Sequence, residues 1–242
     1  MTISDLKNKL TNLSRNLISD DIYETIKACI LNGTITQGEH LKEMEIAKQF
    51  NTSQAPVREA FKKLQQERLL KNIPFKGTFI EEVSDEEIPE IYQLRAVLEI
   101  ISLKWFISKM TKENIQELKL IIKDMINASV NNDLPLLVEK DIAFHKYICK
   151  VSDLKNLYPM WSIINGKSRL VIAKMDIIYN KYKDVKKIVK LHQQILEAIE
   201  KKNVMLAIER YNTHAKFVFR EIVEDDTVDA NLKKILGKYI TE

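Results

Sequence analysis

The stretch Asn51 to Leu70, NTSQAPVREAFKKLQQERLL, decides how the chain is read. Ala60, Phe61 and Leu64 recur at helical spacing and Leu69 and Leu70 close the pattern, so one face can pack against a neighbour. Gln54, Arg58, Lys62 and Lys63 are left to point at something negative or hydrogen-bonding. Thr52 or Ser53 can cap the start, and Pro56 is tolerated because a first-turn proline forfeits no intrahelical bond. The spacing therefore predicts a helix beginning near Gln54. A short helix with an apolar stripe on one side and cations on the other, entered through a turn, meets the needs of a recognition helix.

Upstream, Leu17, Ile18, Ile22, Ile26, Cys29 and Ile30 predict a first helix ending at Asn32-Gly33, where Gly33 can take the left-handed cap conformation. Residues 1–16 read as an amphipathic arm or short helix. After a connection from Thr34 to His40, Leu41 to Phe50 predicts a second helix with Ile46 and Ala47 inward. Downstream, Asn72 to Ile80 reads as two short strands around a tight turn. Helix, helix, turn, helix and hairpin make a winged helix-turn-helix, assigned to residues 1–80. Between Asn51 and Phe79 six cations face only Glu59 and Glu67, whereas the whole chain carries a net charge of only +4. A local basic patch of this kind is the electrostatic footprint of phosphate contact.

Residues 81–90 form an acidic linker, with Glu81, Glu82, Asp85, Glu86, Glu87 and Glu90 and no cation. Ser84 and Glu87 have capping-box spacing for the helix that follows. Ile91, Leu94, Leu98, Ile101 and Trp105 form one helical stripe, and Ile115, Leu118, Ile121, Ile122, Met125 and Ile126 another. Further helices are expected from Pro135 to Val151, Leu157 to Tyr179, Val185 to Lys201 and Val204 to Val223, with a final short one within Asp225 to Glu242. The fold class is thus mainly α, with an all-α helical bundle over residues 91–242 behind the winged domain. Cys29 and Cys149 are isolated and suit reduced core positions. No apolar run approaches the ~20 residues that span a bilayer, so no membrane partner and a cytoplasmic protein are expected.

Three of the four histidines, His145, His192 and His214, fall in the helical half. Asp141 precedes His145 by four positions, which puts both on one face of a helix. Imidazole and carboxylate together suit a divalent transition metal, while satisfied core or surface residues are the ordinary alternative. His40 reads as a surface residue or a phosphate contact. Arg95 interrupts an apolar stripe and reads either as a surface residue or as a structural pair with Glu99.

Gly33, Gly38-Glu39, Leu41, Glu43, Ala47, Ser53, Pro56-Val57-Arg58-Glu59-Ala60, Leu64, Gly77 and Arg95 with Glu99 together resemble the GntR family, in the subgroup that carries an FCD effector domain. Three positions depart from that pattern: Gln37 replaces a usual proline, Met44 offers no cation from the second helix, and Gln54 replaces a usual arginine. The resemblance implies a ligand-responsive transcription regulator, not an enzyme, acting as a homodimer on a pseudo-palindromic double-stranded DNA operator. Arg58 then suits a bidentate guanine contact and Gln54 an adenine. Lys62, Lys63 and Lys76 suit phosphates, and Thr52, Ser53 and Gly77 complete the expected DNA-facing set. The Asp141-Ile142-Ala143-Phe144-His145 run matches the D-x-x-F-H pattern of metal-binding members. His192 and His214 fill the two remaining ligand positions by the same resemblance. The expected cofactor is a divalent metal, zinc by default with nickel or manganese as alternatives. Arg95, and less directly Arg169, are the expected contacts for a small carboxylate effector. Two rival readings are a metal-dependent hydrolase fused to a DNA-binding module and a regulator whose metal is purely structural.

Overall fold

The computed structural model describes residues 3–174 and 184–223, so the helix expected within 225–242 and the stretch 175–179 lie outside the described residues. Two compact units emerge. One runs to Ser84 and includes Arg169–Lys174; the other takes Asp85–Ser168 and the described residues after 183.

In the first unit, helix α1 spans Ile3–Leu31. It is longer than expected, extending from Leu17 back through most of the N-terminal arm. Ile22, Ile26 and Ile30 are buried, but Leu17 and Ile18 are exposed. Gly33 follows with φ +75, the left-handed conformation that a helix C-terminus favours. The expected second helix loses its first residues to strand β1, His40–Leu41, and α2 occupies Glu43–Gln49 with Ile46 and Ala47 buried. Asn51 makes the turn at φ +49, a conformation that asparagine tolerates better than most residues. Helix α3, Gln54–Gln66, starts where the sequence predicts and buries Pro56, Val57, Ala60, Phe61 and Leu64. Ser53 holds its N-cap position with extended backbone but no side-chain cap bond, so the expected side-chain cap does not form. Helix α1 packs against α3. Lys27 pairs with Glu67 at 2.8 Å, and Lys63 pairs with Asp20.

The wing is an antiparallel sheet of order β1-β3-β2, with β2 at Leu70–Ile73 and β3 at Gly77–Ile80. The register sets Leu70 against Ile80 and Ile73 against Gly77. Leu41, Leu70 and Ile80 are buried beneath it. Gly77 sits at φ +109, and a Cβ there would come within 2.5 Å of the His40 ring. Only glycine satisfies both conditions. The acidic linker does find a cation: Lys71 of β2 lies 2.6 Å from Glu82 and 3.6 Å from Glu81.

The second unit is helical among its described residues. Its elements are α4 (Glu87–Lys109), α5 (Lys112–Val130), α6 (Leu134–Val151), α7 (Leu157–Lys174) up to Ser168, α8 (Val185–Glu200) and α9 (Val204–Val223). Glu87 and Glu90 of the acidic run belong to the first turn of α4, whose N-cap position is Glu86 with no side-chain cap. Thr111 and Asn114 form a reciprocal capping box at α5, and Asp133 caps α6 through Leu136 N at 3.0 Å. Helix α5 packs on α6 and α8, α4 on α6 and α9, and α8 on α9.

Only part of the stripe expected to bury α4 does so: Ile91 is buried, and Leu98 and Ile101 are half-buried. Leu94 and Trp105 are 43% and 47% exposed. The buried face carries Ile88, Ile91, Tyr92, Ala96, Ile100, Leu103 and Phe106, together with Arg95, Glu99 and Ser102. A polar trio is therefore carried into the centre of the bundle.

Candidate functional site

In the first unit the tight turn and α3 bring most of the expected DNA-facing residues onto one surface. Thr52, Ser53, Gln54 and Arg58 line a depression with Met44 and Lys48. A second groove, between α3 and the wing, is lined by Arg58, Lys62 and Gly77 with His40, Lys42 and Asn72. Arg58 stands at the junction. Its Nε donates to Glu43 Oε2 at 2.7 Å and its Nη2 to Gln54 Oε1 at 2.9 Å. The pair with Glu43 is solvent-exposed and so contributes at most about 1 kcal/mol, little enough for the guanidinium to exchange it for a base. Lys62 and Lys76 are exposed. Lys63 pairs with Asp20 on α1, and that ion pair is exposed as well, so it too is weak enough to be exchanged.

Sequence reading missed one residue on this surface. Lys48 supplies from α2 the cation that Met44 lacks, and its place four residues further along the same helix face was the available signal. Phe75, at the wing tip, is fully exposed and held at φ +63. His40 stacks on Phe79 with ring centroids 4.6 Å apart, which makes it a support for the wing.

In the second unit, α6, α8 and α9 bring Asp141, His145, His192 and His214 together, with one ligand atom from each lying within 4.8 Å of the others. His145 Nε2 lies 3.2 Å from His214 Nε2 and 3.3 Å from His192 Nε2. Asp141 Oδ1 lies 3.2 Å from His192 Nε2 and 3.9 Å from His214 Nε2. Neighbouring ligands held 2.0–2.1 Å from one ion stand roughly 3.0–3.4 Å apart, so the three shorter spacings match a shared cation and the 3.9 Å between His214 and Asp141 is wider than that range.

The outward ring nitrogens strengthen that fit. His145 Nδ1 faces Glu99 Oε2 at 2.8 Å and His192 Nδ1 faces the Ile188 carbonyl at 2.9 Å. Carboxylate and carbonyl only accept, so both Nδ1 atoms donate, which leaves the Nε2 atom of each ring facing the cluster as the one a metal would take. A single divalent cation would serve the three ring nitrogens and the carboxylate oxygen together. Burial acts to raise the Asp141 carboxyl, but the His192 hydrogen bond and the charges of the three histidines hold it well below the usual carboxylate range. Burial, followed by the charges of His192 and His145, holds His214 well below the ordinary imidazole value, in the neutral form a metal requires.

Glu99 organises the surroundings. Its Oε1 accepts from Arg95 Nε at 2.7 Å and Trp161 Nε1 at 2.8 Å, and its Oε2 accepts from Tyr211 Oη at 2.7 Å as well as from His145. Burial would raise this carboxyl, yet Arg95 and then His145, with the Trp161 bond, hold it ionised far below its ordinary value. Such an outer carboxylate fixes the tautomer of a ligand histidine and raises its basicity. Arg95 itself is 7% exposed and lies 3.7 Å from Asp141, so the surface reading is excluded and the pair with Glu99 is real.

Beside the cluster, Tyr92, Arg95, Asp141, Tyr211, His214 and Phe219 line a cavity of about 30 Å³. Two of its buried polar atoms, Tyr92 Oη and His214 Nδ1, have no hydrogen-bond partner. Arg169 does not line this cavity. It belongs with the first unit, where its charge acts on Tyr23, Lys27 and Glu67, so its expected role as an effector contact finds no support in its position.

Comparison with known proteins agrees with both halves. The gntR family of bacterial regulatory proteins matches residues 18–80, and the FCD domain matches residues 90–217. The chain belongs to the GntR family of transcription regulators, with an FCD domain behind its DNA-binding domain. It is 26% identical over 196 residues to the HTH-type transcriptional regulator YdhC of Bacillus subtilis, covering 79% of this chain and 85% of that protein. It is also 26% identical over 189 residues to the gluconate operon transcriptional repressor of the same organism, covering 77% of each. Among solved structures it resembles Escherichia coli McbR/YncC, with a TM-score of 0.73 at 17% identity over 86% of this chain and 97% of that one. A GntR regulator from Rhodococcus sp. RHA1 gives a TM-score of 0.68 at 21% identity, covering 85% and 97%. No helix among the described residues is long and apolar enough to cross a membrane.

Proposed function

We propose that this DNA-binding regulator is a repressor that acts as a homodimer and is controlled by a small carboxylate bound beside a metal in the helical unit. The observation that carries this reading is the convergence of Asp141, His145, His192 and His214 on one point next to the Arg95 cavity. Those four residues would hold the metal, which when bound supplies open coordination positions for an acid oxygen. Arg95 supplies a fork suited to a carboxylate, and the unpartnered Tyr92 hydroxyl and His214 Nδ1 supply further polar contacts. A cavity of about 30 Å³ has room for one or two water molecules. An effector must therefore widen it, and differential affinity for the widened packing is what shifts a two-state regulator. The relative named gluconate operon transcriptional repressor is associated by its name with a sugar acid, in keeping with a carboxylate ligand.

Hydrolysis is the weaker reading. Both oxygens of Glu99 are taken by four donors, and Asp141 is a ligand, so neither carboxylate is free to serve as a general base.

Selection of DNA from a random pool by the full chain tests the repressor architecture. The expected product is an inverted repeat whose half-sites lie about one helical turn, roughly 34 Å, apart. Enrichment of single, non-repeated sites would contradict a dimer on the operator.

A further inference from the structure

The wing hairpin turns through Ile73-Pro74-Phe75-Lys76, closed by Lys76 N donating to the Ile73 carbonyl at 3.0 Å. Pro74 takes the second place of the turn and Phe75 the third, with φ +63. A proline followed by a residue at positive φ makes a type II turn, whose third place suits glycine or asparagine because a larger side chain crowds the backbone there. Phenylalanine is unfavourable in it, and its ring recovers nothing by packing. Phe75 is the most exposed of the large apolar side chains among the described residues. Exposed apolar residues are ordinary one by one. One that also strains the backbone is not, and such strain gathers where function selects it. The tip stands on a firm base: Ile73 pairs with Gly77 across the strands, and His40 of β1 stacks on Phe79 of β3.

Asn72 and Thr78, paired in register, line the same groove as Arg58 and Lys62 of α3. Phe75 lies three residues further along the hairpin, up to about 10 Å beyond them. With α3 in a major groove about 12 Å wide, that reach carries the tip over the phosphate ridge to the neighbouring minor groove. Lys76, exposed and next in sequence, suits the phosphates on the way. We propose that Phe75 is an apolar wedge, whose ring enters the minor groove flanking the half-site, parts one base step and bends the operator there. Apolar side chains that enter minor grooves in this way kink the duplex by roughly 20–90°. Unstacking costs least at flexible pyrimidine–purine steps, so the ring selects a step such as TA or CA without a hydrogen bond to either base. This inference rests on DNA binding through α3 and is independent of the dimer, the metal and the acid.

The test uses the full chain on a selected operator that carries 2-aminopurine at each flanking step in turn. The wild type is expected to raise the fluorescence at one step outside the α3 contacts, since an unstacked 2-aminopurine emits more strongly. Phe75→Gly is expected to melt no lower than the wild type, because glycine suits the turn. The same variant is expected to bind the operator about tenfold more weakly and to lose both the fluorescence rise and the preference for a flexible step. Stability and affinity that part company in this way separate a wedge from a structural residue. Phe75→Leu, still an apolar wedge, is expected to keep much of the signal. Lys76→Ala is expected to keep the signal and to reduce the slope of log affinity against log salt by about one. Wild-type affinity in Phe75→Gly overturns the proposal. Tight binding by the wild type with no fluorescence rise at any flanking step overturns it too, while leaving DNA binding standing. A wild type that enriches no DNA overturns the DNA-binding reading and the wedge with it.

Discussion

Replacing His145, His192 and His214 together by alanine is expected to abolish bound metal. The cluster supplies four donors, and the triple variant keeps only Asp141, a single carboxylate that is 18% exposed and already near Arg95. One monodentate carboxylate does not hold a transition metal against water. Elemental analysis of the purified protein should therefore fall from about one divalent ion per chain to background. Zinc is the ion expected first, because three imidazoles and a carboxylate suit its borderline character. The variant should also lose the thermal stabilisation that added metal gives the wild type, since a ligand bound only to the folded state stabilises by mass action. Full metal retention in the triple variant would refute the site. So would a melting temperature of the wild type that ignores both metal and chelator.

Arg58→Ala is expected to cost about 1–3 kcal/mol of operator affinity and to relax the preference at one position in each half-site. The bidentate guanidinium–guanine contact is the commonest specific pairing in the major groove, and no other exposed arginine stands beside Gln54 at the head of α3. Arg58→Lys should not restore the preference, because an ammonium lacks the planar fork. Binding measured against a library of single-position operator variants checks both. An unchanged sequence preference in Arg58→Ala would remove the residue from base reading and leave it as the partner of Glu43. The same loss against every sequence would make it a phosphate contact instead.

Much of the fold was legible because its signals are local. The recognition helix shows its apolar period, its turn residues and its basic face within twenty residues of sequence, and α3 begins at the expected residue. The cap signal at Gly33 is local as well. The buried face of α4 is only partly the one its apolar spacing predicts, for a physical reason. Its inner face carries Arg95, Glu99 and Ser102, which hydrophobic periodicity places outside, while Leu94 and Trp105 stay largely exposed. Burial of those charges is stabilised only by Trp161, Tyr211, His145 and Asp141, all brought from other helices. No spacing within α4 announces them.

The candidate site divides in the same way. Asp141 and His145 are legible as an i, i+4 pair, because one helix presents both. His192 and His214 depend on how α8 and α9 pack, and became candidates only through resemblance. Glu99 was seen as a partner for Arg95 but not as the residue that orients His145, Trp161 and Tyr211. Arg169 looked like an inner cation of the bundle, yet the end of α7 that carries it belongs with the first unit.

The central claim is that the helical unit senses a small acid at a metal and reports it through the recognition helices. It is tested most directly by titrating a selected operator with the metal-loaded full chain, in the presence and absence of a panel of small carboxylates, and repeating the titration with Arg95→Ala. The account predicts that at least one carboxylate changes operator affinity several-fold or more, as couplings of about 1–3 kcal/mol require. It also predicts that this response disappears in Arg95→Ala and in protein stripped of metal. Operator affinity that is the same with every carboxylate, with and without metal, would contradict it and leave the cluster a purely structural metal site.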